Sequence, residues 1–216
     1  MSLMTPSTQF GSFAALRGLA RQRDSRERCD LCGAGLVSDH QHLIEPGARR
    51  LICTCNACAV LFHSNGDTKY KRVPRRVRLL SGFRMSDVEW DSLMIPIGMA
   101  FFVASSVERR VLALYPSPAG ATESLLSLES WNDIVQNNLS LATMQPDVEA
   151  LLVNRLGAGD QSGGEYYVVP IDKCYELVGF IRSHWRGLSG GSEVWIEIRR
   201  FFDELKQRAV PEPVHA

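Results

Sequence analysis

Four cysteines in two pairs are the residues of this chain whose spacing most directly implies chemistry. Cys29-Asp30-Leu31-Cys32-Gly33 opens the pattern, and Cys55-Asn56-Ala57-Cys58 closes it, with twenty-two residues between Cys32 and Cys55. Each Cys-x-x-Cys turn points two sulfurs at one spot, and a hairpin between the pairs brings the two spots together. The spacing therefore predicts a four-thiolate cage for one tetrahedral ion. Zinc there would staple a module too small to bury a core of its own, whereas iron would carry single electrons. One structural zinc is the expected cofactor and iron the alternative. Gly33 stands where such a turn wants positive φ; its counterpart after the second pair is Ala59, a poorer residue for that turn.

Further candidate ligands surround the cage. Cys53 lies two residues before Cys55, so strand alternation would put both on one face. It is either a spare thiol or a member of a pair drawn differently from Cys53, Cys55 and Cys58. His40, His42 and His63 could each replace a thiolate or hydrogen-bond a sulfur from outside the cage. Cys174 falls on the apolar side of a helix and reads as core. Neither a nucleophile motif nor a phosphate loop nor a carboxylate pair stands out, so no catalytic residue is assigned. Gly157-x-Gly159 lacks the preceding strand that a nucleotide fingerprint needs.

The elements that must position these residues follow from pattern. His40–Ile44 and Arg50–Cys53 read as two short strands around the turn Glu45-Pro46-Gly47, with Ala59-Val60-Leu61-Phe62 packing the far side of the site. Lys69–Arg78 reads as an exposed basic strand. Ile95–Val103 and Arg110–Tyr115 predict an antiparallel hairpin, and Tyr115–Ser124 a stiff proline-set loop. Leu128–Asn138 and Asp147–Leu156 predict helices, the second with Val148, Leu151, Leu152 and Leu156 on one stripe. Tyr166–Ile171 predicts a strand. Asp172 should cap a helix presenting Cys174, Leu177, Val178, Ile181 and Trp185. Ser192 should cap another presenting Val194, Ile198, Phe201, Phe202 and Leu205. Pro211 and Pro213 should end ordered structure.

The expectation is an α+β chain: a basic helix or tail over residues 1–28, in which Ser12 caps Phe13, Leu16, Leu19 and Ala20; a rubredoxin-like zinc ribbon over 29–66; a basic linker strand over 67–78; a mixed α/β domain over 79–210 with a small antiparallel sheet and C-terminal helices; and a disordered tail over 211–216. The chain has 216 residues, 45% hydrophobic and 22% charged, the composition of a globular protein. Without a membrane-length apolar run or an export signal, the six cysteines suit a reducing cytoplasm. The net charge is zero, yet residues 1–80 hold 13 Lys+Arg against 6 Asp+Glu and the remainder 11 against 18. The basic run from Lys69 to Arg78 could meet nucleic-acid phosphates, but the neutral total and the lack of stacking aromatics disfavour that partner.

Several longer motifs carry a resemblance. Cys29-Asp30-Leu31-Cys32-Gly33, Cys53-x-Cys55-x-x-Cys58-x-x-Leu61-Phe62, Trp90-Asp91-x-Leu93-x-Ile95-Pro96, the run from Tyr115 to Ser124, Pro146–Leu152 and Val169-Pro170-Ile171-Asp172-x-Cys174-Tyr175-Glu176-Leu177-Val178 together resemble an uncharacterised bacterial family. Its genes are often found beside those of oxygen-tolerant nickel-iron uptake hydrogenases. The likeness spans about Cys29 to Asp203. It implies a setting in hydrogenase assembly, cofactor handling or electron delivery, with hydrogenase subunits or maturation factors as protein partners. It carries over no site residue. The expected role is thus a metal-binding accessory or interaction protein; the alternatives are a rubredoxin-like iron electron carrier and a zinc-ribbon nucleic-acid-binding regulator.

Overall fold

The structure is a computed structural model that describes residues 27–63, 69–124, 128–156, 164–187 and 189–212. The expected helix behind Ser12, the arginines Arg21, Arg23 and Arg26, the glycine loop from Gly157 to Gly163, Pro213 and His215 lie outside the described residues. The described residues fold as a mixed α/β structure with two sheets.

The first sheet has three strands in the order β2-β1-β3. Strand β1 (Gln41–Glu45) and β2 (Arg50–Thr54) form the anticipated hairpin, turning through a 3-10 turn at Pro46–Ala48 with Arg49 at φ 48°. A six-residue helix, α1 (Asn56–Leu61), follows. Strand β3 (Lys71–Arg72) pairs antiparallel with β1. This corrects the reading of 69–78 as one exposed strand. Its first part completes the small sheet, Val73 and Val77 are buried, and Arg78–Leu79 forms β4 in the second sheet.

The second sheet runs β10-β4-β9-β8-β5-β6-β7. Its remaining strands are β5 (Met99–Ser105), β6 (Arg110–Ser117), β7 (Gly120–Ser124), β8 (Glu149–Asn154), β9 (Glu165–Pro170) and β10 (Val210–Pro211). All neighbours are antiparallel except β10 and β4. Both faces of the central strands are covered. Phe101, Leu152, Tyr167 and Val169 join one core with Leu177, Ile181, Ile198 and Phe202 of helices α4 (Ile171–His184) and α5 (Gly191–Arg208). Phe102, Leu151, Val153 and Val168 join a second core with Trp90 of α2 (Asp87–Ser92) and with Trp131 and Ile134 of α3 (Leu128–Asn137).

That double burial overturns the expected helix over 147–156. A strand buried on both faces is apolar at every position, so Val148, Leu151 and Leu152 mimic a helical stripe while alternating between two cores. The expected loop from Tyr115 to Ser124 is likewise a hairpin, with Ser117 opposite Gly120. Pro116 is tolerated in β6 because the pairing with β5 has ended at Leu114, leaving no ladder that needs its N–H.

Three expected helix and chain ends also move. Helix α4 starts at Ile171 after Pro170, so Asp172 lies inside the first turn and does not cap it. Helix α5 starts after Gly190, at φ 86°, in place of the expected cap Ser192. Pro211 continues the ordered chain: Val210 N–H donates to Val77 O and Glu212 N–H to Leu79 O, while the missing proline N–H faces the sheet edge. Among the described residues no helix is long and apolar enough to cross a membrane.

Candidate metal centre

The first cysteine turn is closed by backbone. Cys29 N–H donates to Ala34 O at 2.8 Å, Gly33 N–H donates to Cys29 O at 2.8 Å, and Gly33 takes φ 76°, the left-handed conformation anticipated for it. Asp30 then fastens this turn to β2. Its N–H donates to Cys53 O at 2.9 Å and its Oδ2 accepts from Cys53 N–H at 2.8 Å.

The second turn is built differently. Strand β2 ends at Thr54, and Cys55 caps α1, its Sγ accepting from Cys58 N–H at 3.5 Å. A helical turn presents both sulfurs without positive φ, which is why Ala59 serves where a glycine was anticipated. Ala59 is buried, but Val60, Leu61 and Phe62 are exposed, so the expected packing of this segment over the site is confined to Ala59.

The two turns meet. One Sγ from each of Cys29, Cys32, Cys55 and Cys58 lies within 4.8 Å of all the others, and Cys32 Sγ stands 3.8 Å from Cys55 Sγ. A tetrahedron with metal–sulfur bonds of about 2.3 Å has edges of about 3.8 Å, so the cage is able to hold a metal ion. Cys29 and Cys58 are buried and Cys32 faces solvent. Burial opposes ionisation of Cys29, but the N–H groups of Cys55, Leu31 and Cys32 outweigh it and bring the thiol down to about 6. Cys58 is pushed up to about 12 by burial and by the thiols around it. The cage thus supports one thiolate readily and resists the next, the electrostatic situation that a cation relieves.

Cys53 is not part of this cage. It pairs across the β-ladder with His42, and strand alternation brings His40 to the same face. One ring nitrogen of each histidine and Cys53 Sγ form a second group with all separations within 4.8 Å. The rings of His40 and His42 meet edge to face, centroids 4.7 Å apart. His40 Nδ1 donates to Val37 O at 3.0 Å, and His42 Nδ1 donates to Asp172 Oδ2 at 2.8 Å. Burial, and then the charges of Asp30 and Glu27, raise the Cys53 thiol above its ordinary value. The expectation that Cys53 and Cys55 share a strand face fails because Cys55 lies beyond the strand. His63 is exposed and belongs to neither group.

A family model, the Family of unknown function (DUF5947), matches residues 28–209. The chain belongs to this family. No curated protein and no solved structure matches it. The family match spans both cysteine turns, the His40/His42/Cys53 face and both sheets up to Ala209, so the DUF5947 region includes every ligand group described above.

Most cations of the basic run from Lys69 to Arg78 are engaged inside the molecule. Lys71 Nζ lies 2.5 Å from Asp147 Oδ2, Arg72 donates to Gln41 Oε1, and Arg75 donates to Asp39 and to His40 O. Arg78, buried, donates to Glu212 and Thr143. Asp172, expected as a helix cap, instead orients a histidine 130 positions away.

Proposed function

We propose that this is a metal-binding accessory or interaction protein in which Cys29, Cys32, Cys55 and Cys58 hold one structural zinc. The carrying observation is the mutual approach of the four sulfurs, all within 4.8 Å of one another. On this reading the segment from Cys29 to β3 acts as a zinc ribbon of rubredoxin-like knuckles, joined to an α/β part that begins at β4. A four-thiolate zinc is closed to substrate, so the ion's work is to hold shape. What it would hold is a surface: Val60 and Leu61 are 66% and 74% exposed on the helix that carries Cys58. Apolar side chains fixed in place by a metal turn suit contact with another protein. The family resemblance suggests nickel-iron hydrogenase subunits or maturation factors as that protein, and the clustered thiols suit a reducing, cytoplasmic setting.

Iron in the same cage gives the second reading, an electron carrier. The solvent-facing Cys32 favours it, since an exposed sulfur provides an edge for electron exit. A nucleic-acid regulator has less support, because five cations of the basic run are engaged by intramolecular partners. Elemental analysis with an absorption spectrum of the purified full chain separates the readings. A colourless protein whose zinc content falls by one ion per chain in Cys32→Ser is the expected result. Thiolate-to-iron charge-transfer bands would move the protein to the electron carriers, and metal content indifferent to Cys32→Ser would overturn both.

A further inference from the structure

His40, His42 and Cys53 share no residue with the four-thiolate cage, and their surroundings point to a task of their own. Carbonyl oxygens only accept, so the contact with Val37 O places a proton of His40 on Nδ1, and in the neutral ring that tautomer leaves the lone pair on Nε2. Among the described residues that Nε2 is buried without a hydrogen-bond partner, on a side chain only 6% exposed. An orphaned lone pair in such a position is destabilising unless something binds it. His42 is arranged in the same sense: its Nδ1–H faces the Asp172 carboxylate, leaving Nε2 to ligate. A carboxylate behind a histidine in this way fixes the tautomer and raises the basicity of the ligating nitrogen.

We propose that His40 Nε2, His42 Nε2 and Cys53 Sγ form a second metal site, for a divalent ion of the zinc class, with a fourth coordination position open to solvent. Two imidazoles and one thiolate are a borderline-soft donor set that suits zinc, and three protein ligands with one vacancy distinguish a reactive zinc site from a closed one. The vacancy has somewhere to face. The same three side chains line a cavity of about 850 Å³ between the hairpin and α4, together with Asp172, Arg75 and Arg208. Asp172 Oδ1, buried and without a partner among the described residues, provides an acceptor in that cavity for a metal-bound water. The four-thiolate cage gives the chain its shape; this second site gives it a place for an exogenous ligand.

The test uses the full chain, equilibrated with excess zinc, desalted and analysed for metal, alongside the cobalt-substituted form. The wild type should carry two ions. Cys53→Ser and His42→Ala should each carry one, and Cys32→Ser should keep the ion of the second site. Should His42→Ala lose both ions by losing its tie to Asp172, the near-isosteric Cys53→Ser decides. Azide should shift the visible bands of the cobalt that Cys53→Ser removes and leave those of the four-thiolate cobalt unchanged. A wild type holding a single ion that Cys53→Ser retains would overturn the site, whatever the fate of the four-cysteine cage. Cobalt bands in the second site that ignore azide would overturn its open position.

Discussion

The two sheets of this molecule reach stability by opposite routes. In the seven-stranded sheet, Ala100, Phe101, Phe102, Leu151, Leu152 and Val168 are all fully buried, their side chains going alternately to a core above and a core below. The three-stranded sheet has one two-residue strand, and its long hairpin carries Arg50 and Cys53 at positions where the larger sheet would carry valine or leucine. Leu43 and Ile52 are its own buried pair, and Ile44 reaches the neighbouring core. A sheet with so little apolar burial is marginal by itself. The contrast teaches where chemistry can live: the candidate ligands all sit in or beside the thinly buried sheet, where sulfur and imidazole replace the packing that a core would supply.

Chelation should break the comparison most visibly. Metal binding of this kind contributes about 10 kcal/mol of apparent folding free energy in small zinc modules. Stripping the ion at neutral pH should therefore release amide protection in the Cys29–Cys32 turn, β1, β2 and α1. The amides of β8 and β9 should keep theirs, because their cores contain no ligand. Hydrogen exchange on the apo and zinc-loaded chain makes the check. Protection of the hairpin that survives chelation would mean that Leu43, Ile52 and Ile44 hold the small sheet without help.

A second test asks how tightly the two regions are bound to each other. Asp147 is 6% exposed and collects three donors: Ser106 N–H at 2.9 Å, Ser106 Oγ at 2.6 Å, and Lys71 Nζ from the small sheet at 2.5 Å. Asp147→Ala leaves the Ser106 amide without its acceptor and should lower stability by about 2–3 kcal/mol. The lysine remains partly in water, which keeps the loss at the lower end for a buried pair. Thermal unfolding measures the total, and exchange at Lys71 and Arg72 shows whether the small sheet loosens with it. A fall in melting temperature with unchanged exchange in β3 would make Asp147 a clamp on the β5–β6 turn alone.

The same contrast explains what could be read from the residues alone. The cysteine cage was legible because two Cys-x-x-Cys turns specify their own geometry. The amphipathic helices α4 and α5 were legible because each has one wet face, so Leu177, Ile181, Ile198 and Leu205 recur at helical spacing. Strand β8 was not, because burial on both faces erases the period-two signal that marks a strand. The hairpin of β6 and β7 was hidden by Pro116 and Pro118, which suggest a loop until the neighbouring strand is known to have ended. The His40/His42/Cys53 group needed the register: His42 faces Cys53 only because Glu45 pairs with Arg50 across the turn. Its one sequence signal, histidines two apart on a strand followed by a cysteine on the returning strand, becomes visible only with that pairing. Asp172 had no local signal, since its partner comes from the other sheet.

The smallest expected effect belongs to the large sheet and shows how little a single polar contact matters where burial dominates. Helix α2 opens with a capping box: Glu89 N–H donates to Ser86 Oγ at 3.2 Å, while Ser86 N–H donates to Glu89 Oε2 at 2.6 Å. Ser86→Ala should lower stability by about 1 kcal/mol at neutral pH. The Ser86 N–H, and next its hydroxyl, hold the Glu89 carboxyl below its ordinary value. A carboxylate with a depressed folded value stabilises above its unfolded value of about 4.3 and loses that contribution as pH falls through the folded one. Glu89→Gln should therefore reduce stability at pH 7 and approach the wild type in acid, followed by chemical denaturation across that range. Trp90 and Leu93 stay buried in either state, so metal content and the protection of β8 should not move. A change in either would mean that α2 supports the three-stranded sheet through the core between them, and the two routes to stability would no longer be separable.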